Sequence, residues 1–327
     1  MNNYVGKTVL ITGGGGYIGS ALLEKFCAVD CRIIVMCRHR DHRWDKLSRD
    51  MRAITKQNSL PVEIVYGDIT KKKTWDDVIT LEVDIIFHLA SAEYEPDGNT
   101  RQDLNVNAVS VLHLLQTCVE KKCDPKIIFS SSTNIFGRVD KLVVDEGAGD
   151  EPLAEWSAHK LLAENYFKIY SGRFGVRTVT LRLPNVYGAV PRKDVINRMV
   201  LNKVIQYGIK NRRLILFNNR KCYRDFLYIE DIVVAFMRAG LMSDDDCDGR
   251  YFVIGSKRLI TIADVWAIIS DEIGKIPISI NDSHILNPID MRSFTGNYHK
   301  FNAATDWKPE ISLETGIKLT VKELRRN

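Results

Sequence analysis

The fold turns on the stretch Thr8-Val9-Leu10-Ile11-Thr12-Gly13-Gly14-Gly15-Gly16-Tyr17-Ile18-Gly19-Ser20. Five β-branched or apolar residues run into glycines spaced G-x-x-G-x-x-G at 13, 16 and 19, and an apolar helical pattern follows. Such a turn needs residues without Cβ, so that backbone N–H groups and a helix N-terminus can approach a pyrophosphate. A glycine-rich loop alone is a weak signal. At a strand-to-helix junction that begins a βαβ unit it is a strong one.

Downstream, short apolar runs alternate with longer amphipathic stretches. Strands are expected over Thr8–Thr12, Arg32–Cys37, Val62–Tyr66, Asp84–Leu89, Lys126–Ser131 and Arg177–Leu183, and helices over Tyr17–Ala28, Asp41–Lys56, Leu104–Lys121 and Glu155–Tyr170. This alternation predicts an α/β fold: a Rossmann-type doubly wound parallel sheet with helices on both faces. Beyond Pro184 the rhythm breaks into a Pro/Asn/Gly turn, a helix expected over Val195–Tyr207 and shorter strands. The expected organisation is a dinucleotide-binding domain over 1–184 and a smaller C-terminal α/β substrate lobe over 185–327, with some segments returning to the first domain.

Composition narrows the function. The chain has 327 residues, 45% of them hydrophobic, enough for a sizeable core, and a net charge of only +5 with basic and acidic residues interspersed. No basic stripe for nucleic acid stands out, and no apolar run approaches the ~18 residues of a membrane span. The first residues lack a secretory pattern, so a cytoplasmic location is expected. The seven cysteines, at 27, 31, 37, 118, 123, 222 and 247, contain no C-x-x-C pair. Reduced thiols are expected, and no metal site.

The tip of the second strand bears on the choice of dinucleotide. A carboxylate there would accept from the adenosine ribose, whereas arginine would pair with a 2′-phosphate. The strand ends Met36-Cys37-Arg38-His39-Arg40, so Arg38, backed by Arg40 or Arg43, favours NADP, with NAD as the alternative. Asp68, in Tyr66-Gly67-Asp68-Ile69, is a candidate acceptor for the adenine amino group; its plainer role is to cap the next helix.

With the glycine loop, the ordered motifs Gly67-Asp68-Ile69, His88-Leu89-Ala90, Asn105-Val106-Asn107, Ser130-Ser131-Ser132-Thr133-Asn134 and Trp156-Ser157-Ala158-His159-Lys160 resemble the extended short-chain dehydrogenase/reductase family. Leu181-Arg182-Leu183-Pro184-Asn185, Tyr223-Arg224-Asp225-Phe226 and Asp290-Met291-Arg292 extend the resemblance over essentially the whole chain. That family contains nucleotide-sugar epimerases, dehydratases and reductases such as UDP-galactose 4-epimerase. The resemblance implies hydride transfer at a sugar carbon, commonly C4, and a cofactor held by Gly13, Gly16, Tyr17, Ile18, Gly19, Arg38, Asp68, Ile69, Leu89, Ala90, Asn107 and Lys160. It further implies a nucleotide-diphosphate sugar held by Ser132, Asn134, Asn185, Asn197, Arg224 and Arg292, the two arginines gripping the diphosphate. A homodimer joined through Leu104–Lys121 and Glu155–Tyr170 is also implied, and both helices carry surplus apolar positions.

Two departures qualify the reaction. The family's 4,6-dehydratases follow their active-site hydroxyl with Asp-Glu; here Thr133 and Asn134 stand there, which disfavours that chemistry. More seriously, the family's tyrosine, paired with a lysine four residues on, is Trp156 before Lys160. An indole offers a non-titrating N–H, so it cannot be a general acid/base. Ser132 and Lys160 keep their implied roles, and Tyr94, His159, Ser132 or an ordered water are candidates for moving the proton. The competing expectation is a catalytically silent protein, or an inactivated variant, that binds NADP and a nucleotide sugar.

Overall fold

The computed structural model of the chain describes residues 2–38, 62–79, 82–92 and 99–326. The helix expected over 41–56, and with it Arg40, Arg43 and Tyr94, lies outside the described residues.

The strands β1 (Thr8–Thr12), β2 (Arg32–Cys37), β3 (Val62–Tyr66), β4 (Ile85–His88) and β5 (Lys126–Ser132) form within one residue of their expected bounds. With β6 (Val143–Val144) lying elsewhere, β7 (Thr178–Leu183) continues the main sheet. After β8 (Asn185–Tyr187), β9 (Leu214–Leu216) and β10 (Phe226–Tyr228), the strand β11 (Asp248–Val253) completes it. The seven-stranded order is β11-β7-β5-β4-β1-β2-β3. Parallel ladders set Thr12 opposite Met36 and His88, and His88 opposite Phe129. The winding reverses between β1 and β4, and in such sheets the crevice beyond the carboxyl ends at the reversal is where ligands bind.

Between the edge strands β3 and β11 the strands are buried on both faces, which explains their near-continuous apolar character. On one face Leu10, Ile34, Ile86 and Ile127 pack with Trp75, Leu114, Leu115, Ala163 and Phe167 from three helices. On the other, Phe26 lies edge-on to Tyr4 at 4.9 Å and tilted against Phe87 at 5.4 Å, and Phe87 meets Phe236 at 6.4 Å. The Tyr4 hydroxyl donates to the Met237 carbonyl at 2.7 Å, so the aromatic cluster has no stranded polar tip.

Two expected helices are interrupted. The one expected over Leu104–Lys121 begins earlier, at Thr100, where Asn99 accepts from the Gln102 N–H at 3.1 Å. It then widens into a π-helical turn at Asn105–Val109 before Ser110–Lys121 resumes α geometry. The bulge carries the buried Asn107, whose Oδ1 accepts from Ser91 Oγ at 2.9 Å and Ala92 N–H at 3.0 Å. That tertiary demand leaves no trace in hydrophobic periodicity. The segment expected as one helix over Val195–Tyr207 is a 3₁₀ turn, Lys193–Arg198, an extended Met199, and then Val200–Asn211. Asn202 causes the break: its amide accepts from Gly188 N–H and donates to the Gly188 and Ile196 carbonyls.

The contacts divide the chain into two compact units. The first comprises 1–131, 155–181 and 236–251; the second comprises 132–154, 182–235 and 252–327. The division is therefore threaded rather than sequential. Within the second unit three small parallel pairs form: β8 with β10, β9 with β12 (Ile278–Ile280), and β6 with β13 (Thr295–Gly296). Arg182, fully buried, bonds the Asp150 carboxylate through both guanidinium nitrogens at 2.6 and 3.1 Å and lies 4.8 Å from the Phe136 ring centroid. Among the described residues no helix is long and apolar enough to cross a membrane, and no cluster of His, Cys, Asp or Glu is suited to a metal. None of the cysteines among them is in a disulfide.

Candidate active site

The glycine loop is built for close backbone approach. Gly13 sits at φ +66°, and a Cβ there would fall 2.7 Å from the Ala90 nitrogen; at Gly19 it would fall 2.1 Å from the Gly13 carbonyl oxygen. The loop therefore lies flush against 89–90 and enters the helix Tyr17–Phe26, whose N-cap, Gly16, offers no side-chain bond. A helix N-terminus without a side-chain cap is what a pyrophosphate cradle requires. Tyr17 is buried and Ile18 half-buried along the same turn.

Below the loop, Thr12 Oγ1 accepts from Leu89 and Ala90 N–H, both at 3.2 Å, and lies 3.0 Å from His88 Nδ1. With two donors already on its oxygen, the hydroxyl proton points to Nδ1, which places the ring proton on Nε2. Burial, reinforced by the Lys160 charge, pushes the His88 ring down to about 3. Unfolded histidine titrates near 6.5, so between 6.5 and 3 the unfolded chain holds the extra proton and stability falls as pH drops. Urea midpoints measured from pH 7 to 4.5 are expected to decline. His88→Gln is expected to flatten that decline by up to ~1.4 kcal/mol per pH unit.

A cavity of about 260 Å³ in the first unit is lined by Arg38 at the tip of β2, Asp68 and Thr70 after β3, and Asn99, Arg101 and Asn105. Asp68 does not cap the following helix, whose N-cap is Lys71. Its Oδ1 accepts from Thr70 N–H at 3.0 Å and Thr70 Oγ1 at 2.9 Å. Burial tends to raise the Asp68 carboxyl, but those bonds and the Lys71 and Arg38 charges outweigh it and hold the group below its ordinary value. The Ile69 carbonyl next to it takes the Trp75 indole N–H at 2.9 Å, which fixes this turn.

The helix Glu155–Phe174 carries Trp156 and Lys160. The indole Nε1–H donates to the Ala92 carbonyl at 2.9 Å, so its only polar group is spent on the segment that Asn107 also holds. Lys160 is 2% exposed; its Nζ donates to the Ser130 carbonyl at 3.0 Å and lies 4.7 Å from the Phe129 and 5.6 Å from the Trp156 ring centroid. Burial pushes the Lys160 ammonium down to about 7, opposed by the charge of Glu164, itself buried and bonded to Ser131 Oγ. His159 is buried, its Nδ1 lacks a partner among the described residues, and burial lowers its pKa. The Asn107 Nδ2 amide, 1% exposed, is likewise without a partner among them. Together the Cβ-free cradle and this orphaned donor fit a dinucleotide.

In the second unit Ser132, the last residue of β5, accepts from Asn134 N–H at 3.1 Å, and buried Thr133 donates to the Leu183 carbonyl at 3.2 Å. Asn185 donates one Nδ2–H to the Asp225 carbonyl at 2.9 Å, which fixes the orientation of its amide. The Oδ1 of Asn197 is buried with no partner among the described residues. Arg224, 8% exposed, gives N–H groups to the Tyr223 and Asp290 carbonyls, and Arg292 is half-buried. Asp225 was not singled out from sequence. Fully buried, it takes Ser256 N–H, Ser256 Oγ and Gly296 N–H, and so ties the entry to β10 to the segment after β11 and to β13. Its place beside Arg224 in Tyr-Arg-Asp-Phe was the available signal.

Sheet order, glycine cradle and a lysine-bearing helix together define a dinucleotide-binding α/β protein of the short-chain dehydrogenase type. Residues 9–255 match the NAD dependent epimerase/dehydratase family, and the chain belongs to it. A provisionally named UDP-glucose 4-epimerase of Methanocaldococcus jannaschii is 28% identical over 324 residues, covering 98% of this chain and 99% of the relative. A solved UDP-glucose 4-epimerase from Thermotoga maritima, with UDP-glucose, superposes with TM-score 0.81 at 23% identity over 98% of this chain and 99% of that one. A UDP-glucuronic acid 4-epimerase from Bacillus cereus, in complex with NAD, gives 0.80 at 21% identity over 98% and 96%.

Proposed function

We propose that the chain is a nucleotide-sugar epimerase or reductase that works by hydride transfer at a sugar carbon, C4 in the first instance, using NADP in preference to NAD. The observation that carries this reading is Lys160, buried at 2% exposure and bonded to the Ser130 carbonyl beside an intact glycine cradle. Burying an ammonium costs several kcal/mol, a cost that a purely structural position would shed by substitution.

The dinucleotide, when bound, accepts and returns hydride. The glycine loop and the helix N-terminus hold its pyrophosphate, Asp68 accepts from its adenine, Asn107 Nδ2 offers a donor, and Lys160 donates to its ribose. On the substrate side, Ser132 donates a hydroxyl bond to the sugar, while Arg224 and Arg292 supply guanidinium forks for the diphosphate. Asn134, Asn185 and Asn197 complete the polar lining. Thr133 and Asn134 offer no acid, so water elimination of the 4,6-dehydratase kind is not part of the proposal. Trp156 takes no proton; it fastens the Ala92 segment, and the sugar hydroxyl proton leaves through another group. The test is a panel of UDP-, GDP-, CDP- and dTDP-sugars with NADP and NAD, following nicotinamide absorbance and product. Inertness throughout would sink this reading.

A second reading has its own support in the indole N–H bonded to the Ala92 carbonyl, which closes the position where a phenol would act. On that reading the protein binds both ligands and turns over neither.

The helix Glu155–Phe174 exposes Ile169 and Phe174 at 53% and 44%, with Tyr166 and Leu162 half-buried beside them. Such a stripe supports a homodimer. Sedimentation is expected to show a dimer that Ile169→Glu converts to monomer; a monomeric wild-type chain would remove the proposal.

A further inference from the structure

Seven arginines of the described chain reach a carboxylate within 3.1 Å: Arg32 with Glu63, Arg177 with Asp244, Arg182 with Asp150, Arg192 with Asp194, Arg220 with Asp282, Arg250 with Asp248 and Arg258 with Glu314. Arg38 and Arg101, like several other arginines, are not among them. Among the described residues neither is in an ion pair, yet both line the same cavity of about 260 Å³. The carboxylate in that cavity belongs to Asp68, and one of its oxygens is already engaged by Thr70. Among the described lining residues, two guanidiniums against one anchored carboxylate make the cavity net positive, and a bound anion would offset that charge.

Arg101 reaches the cavity by construction rather than by chance of a long side chain. It lies in the short helix Thr100–Leu104, started by the Asn99 cap, and its carbonyl accepts from the Asn105 N–H as the chain enters the π-helical turn. Arg38 stands immediately after β2. The glycine loop has its own N–H groups for a pyrophosphate, so the pair suits a further phosphate. The adenosine 2′-phosphate is the group that would stand at the tip of β2. A phosphate monoester carries about −1.5 to −2 charges and matches two guanidiniums in number and in hydrogen-bond geometry.

We propose that Arg101 is a specificity-determining residue that joins Arg38 in gripping a phosphate on the adenosine ribose. The inference rests on the dinucleotide reading above. The test is titration calorimetry of the nucleotide-free full chain with NADP⁺, NAD⁺ and adenosine 2′,5′-bisphosphate, for wild type, Arg101→Gln and Arg101→Lys. Because Arg101 is exposed, the variants keep the fold. Arg101→Gln is expected to weaken NADP⁺ and the bisphosphate at least tenfold while NAD⁺ changes less than twofold. Arg101→Lys falls between, and raised salt weakens the wild type more than the glutamine variant. Equal losses for NAD⁺ and NADP⁺, or no loss for either, would overturn the role of Arg101 and leave the dinucleotide reading standing. A wild-type chain that binds none of the three would overturn both.

Discussion

Trp156→Tyr is expected to raise turnover of a nucleotide sugar by about 10²–10⁴, the usual worth of a positioned general acid/base. The substitution restores a phenol one helical turn before Lys160, whose Nζ already lies 5.6 Å from the Trp156 ring centroid. A cation at that distance lowers a phenol's pKa, which is what proton exchange with a sugar hydroxyl at neutral pH requires. The cost is small: the variant gives up the indole bond to the Ala92 carbonyl, a segment that Asn107 holds independently. The measurement is kcat and KM for wild type and variant on the same sugar panel. A gain in kcat with KM little changed identifies a missing proton-transfer group. Equal rates in both proteins would mean that the proton leaves by a route that never involved this position, and Ser132 and Tyr94 become the residues to substitute.

Lys160→Met is expected to move stability and binding in opposite directions. The ammonium is buried and pushed down to about 7, against 10.5 for an unfolded lysine. Over that interval the unfolded chain binds the extra proton, so the wild type gains stability as pH rises from 7 toward 10.5 and bears the full deficit below 7. Methionine of similar length removes the deficit, and the variant is expected to be more stable at pH 7 by roughly 2–4 kcal/mol. The gap between variant and wild type narrows by ~1.4 kcal/mol per unit above pH 7. Denaturant midpoints between pH 6.5 and 8.5 suffice, since the buried thiols of Cys27, Cys31 and Cys118 begin to matter only above that range. The same variant is expected to lose dinucleotide affinity. A variant that is both less stable and fully competent to bind would show that Lys160 serves the fold instead.

How much of this was legible beforehand differs from one residue to the next. The five leading strands could be read because each is a short apolar, largely β-branched run, four of them buried on both faces and β3 half-buried at the edge, and the glycine loop because its spacing is dictated by backbone contact alone. Asn107 was marked by its motif, but the π-helical turn that presents it was not, since that turn answers to Ser91 and Ala92, distant in sequence. Lys160 was marked by its motif, but its burial against the Phe129 ring and the Ser130 carbonyl was not. Arg101 was invisible for a related reason: its cavity is assembled from the ends of β2 and β3 and a short capped helix, and no single stretch contains the pattern. The break at Met199 likewise depends on one amide, that of Asn202, reaching back to Gly188.

The threading of the two units has a consequence for how the protein is made. Because 132–154 and 182–235 interrupt the first unit, its sheet cannot be completed from the first half of the nascent chain. The edge of β5 stays open until β7 emerges some 46 residues later, and β11 follows roughly 116 residues after β5 ends. At ribosomal speeds of 5–20 residues per second that is an interval of about 6–23 s. Throughout it an unpaired strand edge is available to neighbouring chains. Shielding of that edge during synthesis is therefore expected to raise the yield of folded chain.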